Sequence, residues 1–184
     1  MRRGIAIAAV LILAVSAQVH AAEIPEDIKA AAEEICAESD FDYPHIVESL
    51  AFSESKFIPD IKSANGKYYG LCQVSPKWNK DRMERLGISE EELLTVRGNI
   101  TVAVDLLKEL YDKHQDMTLT LLYYGGFGQK RIDRYLKDGT TPDYIIELLG
   151  RAETYKQQQE KEETNNDIGE GETNVDGAAG ACVS

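Results

Sequence analysis

Helix start and stop signals divide residues 22–158 into short helical pieces, and no long strand ladder or internal repeat runs through them. Pro25 stands at a helix start with Glu26 and Asp27 in the first turn, where acids complement exposed backbone N–H groups. Ile28, Ala32 and Ile35 follow at helical spacing. A second helix is expected from Pro44 to Ser55, then a loop over 56–69 that contains Pro59 and Gly66. YYGLCQV (68–74) is too short to assign by period and suits a buried turn or one strand of a small hairpin. SPKWNKDRMERLG predicts a short helix stopped by Gly87, and Ser89 with Glu92 forms a capping box. Asn99 is placed as the cap of a long helix over 100–113. Further helical stretches are expected at 117–124, 128–137 and 142–158, so the fold class is mainly α, with at most a small β element.

The two ends of the chain read differently from its middle. Residues 1–21 carry Arg2 and Arg3, then an apolar run from Ile5 to Ala17, then the small-residue site Val19-His20-Ala21. About 13 apolar residues are short of the roughly 20 that span a bilayer, so this is expected to be a secretory signal peptide. The protein is then secreted or associated with the cell envelope, an uncleaved anchor being the alternative. Residues 159–184 are acidic, rich in Gly and Asn, and almost without large apolar side chains, which predicts a disordered tail. Between them lies one domain, residues 22–158, long enough for a single core. Losing the two arginines takes the formal charge from −12 to −14. That balance argues against nucleic acid and an anionic membrane as partners, because both need a basic face. Cys36, Cys72 and Cys182 make an odd count; Cys36 and Cys72 suit either a pair or two small buried hydrophobes. His45 and His114 have no ligand spacing with Cys, Asp or Glu, so no metal is expected.

Two Glu-Ser pairs occupy the second helix, at Glu48 and Glu54. With Leu50 at zero and 100° per residue, Glu54 falls about 40° away among Ile46, Val47 and Phe57. Glu48 falls about 160° away, on a face expected to be solvated, although Phe52 lies beside it. Burial disfavours a charged carboxylate, so Glu54 is expected to have a raised pKa and to suit general acid chemistry. The plainer alternative is a buried carboxylate satisfied by backbone N–H groups or a lysine.

Further motifs follow in order. ESKFIP is followed by Ser63 nine residues after Glu54, then GLCQV, GNI and YYGG, with a weaker echo in Glu153-Thr154-Tyr155. In order and spacing this series resembles the lytic transglycosylase family with the goose-type lysozyme fold, whose pattern runs E-S-x-F-x-P, S, G-L-M-Q, N-I and A-Y-N-x-G. The resemblance covers residues 44–126, and to about 155 with the echo. It implies a compact lysozyme-like domain acting on peptidoglycan glycan strands at the MurNAc–GlcNAc β-1,4 bond. Carried over by position, Glu54 is the catalytic acid and base, Gln73 and Ser63 line the cleft, Tyr123 lies near the acid, and Tyr155 closes the site. The chain departs from the pattern at Cys72, where the family has Met, and at Tyr124, where it has Asn. It also has one extra residue between Ser63 and Gly70. Tyr124 remains a candidate for substrate contact, as do Tyr68, Tyr69 and Trp78, because aromatic rings stack on sugar faces.

The family's chemistry needs one acid, which first protonates the leaving oxygen and then takes the proton of the sugar's 6-hydroxyl, giving a 1,6-anhydro product. No cofactor or metal is implied, and association with other envelope-spanning machinery is left open. A hydrolytic lysozyme is the enzymatic alternative and a non-catalytic wall-binding module the other, the latter motivated by Tyr124.

Overall fold

The computed structural model describes residues 22–170. The expected signal peptide at 1–21, and Cys182 with the rest of 171–184, lie outside the described residues. Among the described residues seven helices follow one another: α1 (Glu26–Glu38), α2 (Pro44–Ser55), α3 (Lys80–Leu86), α4 (Val96–His114), α5 (Met117–Tyr124), α6 (Gln129–Asp138) and α7 (Asp143–Glu170). A 3₁₀ turn at Glu92–Leu94 precedes α4. Among the described residues the β content is two isolated bridges, Lys62 with Tyr69 and Tyr69 with Val74. The mainly α class with a minor β element is therefore observed.

Most boundaries follow from the residues named above. Pro44 begins α2, and Gly87 ends α3 in the left-handed conformation at φ 68°. The Ser89–Glu92 box forms as expected: Ser89 N–H donates to Glu92 Oε2 at 2.8 Å, and Glu92 N–H to Ser89 Oγ at 3.2 Å. Asp116 caps α5 by accepting from Leu119 N–H at 2.9 Å, and its other oxygen accepts from Tyr135 on α6 at 2.7 Å. Two boundaries differ from expectation. α4 starts at Val96, capped by Thr95, whose Oγ1 accepts from Gly98 N–H at 3.1 Å. Asn99 is thus inside the helix, because its amide is committed elsewhere. α7 runs on to Glu170, past the expected tail boundary at 158.

α2 is the central element, packed against α1, α4 and α7. Leu50 is 1% exposed, and truncating such a side chain typically costs about 2–5 kcal/mol. Being wrapped on several sides, α2 has no solvated face, and this overturns the expectation for Glu48. That side chain is 1% exposed and accepts from His45 Nδ1 at 3.1 Å. The wheel measured direction about the helix correctly, but neighbours cover both directions. Cys36 and Cys72 are both buried free thiols, the small-hydrophobe reading.

Candidate active site

Glu54 lies in the last turn of α2, half-buried at the wall of a cleft of about 610 Å³. The chain leaves α2 through Lys56 and Phe57, both in the left-handed region at φ 56° and 65°, which turns it sharply away and leaves Glu54 facing the opening. Burial pushes the Glu54 carboxyl above its ordinary range, partly opposed by a hydrogen bond from Tyr144 and the positive charge of Lys56. Tyr144, in the first turn of α7, donates its hydroxyl to Glu54 Oε1. Burial and the neighbouring Glu54 in turn push the Tyr144 phenol up, so it stays a donor.

The opposite wall comes from residues 68–79 and the end of α5. Tyr68, Cys72, Gln73, Trp78, Tyr123 and Tyr124 line it, with the Gly125-Gly126 turn. Among the described residues, the aromatic side chains counted as exposed are Tyr68, Trp78 and Tyr123, and all three line this cleft. Glu54 is the cleft's one carboxylate among the described residues. Tyr123 stacks on His114, ring centroids 4.4 Å apart and 7° from parallel, which fixes its plane.

One amide holds this wall in place. Asn99, fully buried in α4, accepts from Cys72 N–H at 2.8 Å and donates to the carbonyls of Tyr69 at 2.8 Å and Leu93 at 2.7 Å. Gly70 passes so close, at φ 72°, that a Cβ there would collide with the Asn99 amide and the Leu93 carbonyl. The chain then turns through Gln73 at φ 48°, whose Nε2 donates back to Gly70 O at 2.9 Å. Tyr124 reaches across from α5 and donates to Cys72 O at 2.8 Å. The Tyr at this departure from the family pattern therefore binds the cleft wall as well as lining it.

The positions expected from sequence divide three ways. Glu54, Gln73, Tyr123 and Tyr124 converge on the cleft, as do Tyr68 and Trp78. Ser63 does not line it; its Oγ accepts from Tyr68 N–H at 3.0 Å and Lys67 N–H at 3.2 Å and so shapes the turn that presents Tyr68. Tyr155 is corrected outright: it is 2% exposed inside the α2–α7 packing, near Glu48 and Arg151, and takes no part in the cleft. Tyr144, about three turns earlier on α7, is the tyrosine at the acid, and sequence reasoning missed it. Tyr69 packs against the core with Lys62 over its ring at 4.1 Å.

The family model for the transglycosylase SLT domain matches residues 36–144. Among solved structures, an inactive mutant of the lytic transglycosylase Slt from Pseudomonas aeruginosa superposes with a TM-score of 0.59 at 22% identity. The match covers 74% of this chain and 25% of that one, so the chain spans about a quarter of that protein's length. At this identity the likeness speaks for the fold. No curated protein matches the chain. With its matched segment taking in more than half of the sequence and both walls of the cleft, the chain belongs to the transglycosylase SLT domain family.

Proposed function

We propose that this chain is a peptidoglycan lytic transglycosylase, with Glu54 acting alone as acid and then base. The observation that carries the reading is one carboxylate, raised in pKa by burial, in a cleft whose exposed aromatics could stack on sugar rings. In the first step the Glu54 carboxyl protonates the glycosidic oxygen as the C1–O bond breaks. The 2-acetamido group of MurNAc stabilises the positive charge at C1. Glu54, now a carboxylate, removes the proton of the 6-hydroxyl, whose oxygen bonds to C1 and closes the 1,6-anhydro ring. The carboxyl ends as it began and no water is consumed.

Tyr144 suits both halves of this cycle. Its hydrogen bond holds one carboxyl oxygen in place, and it supports the carboxylate formed between the two steps. The leader-like composition of residues 1–21 supports export, which would bring the enzyme to its substrate. Digestion of purified sacculi followed by mass spectrometry of the fragments tests the reading. Anhydro ends are expected. Reducing ends would make the protein a hydrolase, and binding without fragments would make it a wall-binding module.

A further inference from the structure

We propose that the groove on the far side of Trp78 receives a carboxylate-bearing peptide branch of the glycan strand held in the cleft; the inference rests on the functional reading above. Trp78, 78% exposed, lines both the cleft and this second groove of about 470 Å³. The two therefore share that ring. In a chain of net charge −12, the groove is lined by four cations, Lys77, Lys80, Arg82 and Arg85, against two carboxylates, Asp81 and Glu109.

The cations fall into two sets. Arg82 and Arg85 are anchored: both reach Asp105, and Arg82 also holds Glu109 at 2.7 Å. The lysines remain available. Lys77 pairs with no carboxylate among the described residues and rests its ammonium 5.2 Å from the Trp78 ring. Among the described carboxylates Lys80 approaches only Glu84, at 3.7 Å, with both side chains largely exposed. A sugar backbone has little for such a groove to recognise. The short peptides that branch from alternate sugars of peptidoglycan carry free carboxylates. A strand stacked on Trp78 would deliver one of them beside Lys77 and Lys80, where charge-assisted hydrogen bonds replace weak exposed ones.

The test compares initial rates of the purified full chain on two soluble substrates: glycan strands with intact peptides, and the same strands stripped by an amidase. The wild type is expected to favour the intact strands about three- to tenfold in kcat/KM, the range for two partly exposed ion pairs. The Lys77→Gln/Lys80→Gln double variant is expected to lose that preference while cleaving stripped strands within about twofold of wild type, and added salt should erode the wild-type preference. Equal wild-type rates on the two substrates overturn the proposal and leave the enzymatic reading intact. So does a double variant that loses both rates equally. Cleavage of neither substrate by the wild type overturns both readings.

Discussion

The middle and the end of α2 hold chemically identical side chains in different circumstances. Glu48 is sealed inside the protein, with His45 at one oxygen and, among the described residues, no hydrogen-bond partner at the other. Glu54, six residues on, is buried on one side and open to a cleft on the other, with Tyr144 at one oxygen. Depth of burial alone would have chosen Glu48. A general acid must meet both a low dielectric and a substrate, and only the end of α2 where the chain turns away satisfies both. α7 repeats the contrast: Tyr155 points at the sealed middle and Tyr144 at the open end.

The sharpest break in that comparison is between substitutions at the two glutamates. Glu54→Gln is expected to lower the rate of glycan cleavage by about 10³-fold or more, measured as soluble fragments released from sacculi, with the circular dichroism spectrum unchanged. Glu48→Ala should instead cost about 2 kcal/mol of stability in a denaturant titration and leave the activity of the folded fraction within about threefold. An Asn99→Ala variant tests whether the open end depends on its clamp. It leaves the Cys72 amide and two carbonyls without their partner, for about 3 kcal/mol and a melting temperature lower by roughly 6–12 °C.

The tyrosines give a smaller contrast. The Tyr144 hydrogen bond holds the Glu54 pKa down, so Tyr144→Phe lets it rise and Glu54 keeps its proton to higher pH. The alkaline limb of the kcat profile should move to higher pH. Tyr155→Phe, which removes a hydroxyl without a hydrogen-bond partner among the described residues, should leave the profile in place. The smallest effect is on stability. Glu54 binds its proton more tightly folded than unfolded, so its contribution is full below the unfolded pKa and is lost as pH rises through the raised folded value. The melting temperature of Glu54→Gln relative to wild type should therefore increase as pH rises from the ordinary glutamate range through the raised folded pKa. A constant difference would place Glu54 in water.

Local signals carried much of this architecture. Pro44, Gly87 and the Ser89–Glu92 box mark their boundaries because each acts within one turn of itself. The ordered motifs around Glu54 located the cleft because spacing along a chain survives folding. What the sequence could not convey was pairing across distance. Asn99 looks like a helix cap when read beside its neighbours, yet its partners are Tyr69, Cys72 and Leu93. The Tyr144–Glu54 bond joins residues ninety apart, and no periodicity separates Tyr144 from Tyr155, which share a face of α7. Glu48 was misplaced for the same reason, since a helical wheel has no knowledge of how many neighbours a helix will have.

The chain contains a single tryptophan, and it is Trp78, standing largely in water at the corner shared by the cleft and the basic groove. Its fluorescence therefore comes from one address. A saccharide laid across the indole would shield it from solvent and shift its emission to shorter wavelength, while the rest of the fold stays dark at that excitation. Occupancy of the site could be followed in real time and without a label in a Glu54→Gln protein, whose turnover under the proposed mechanism would be too slow to clear the saccharide.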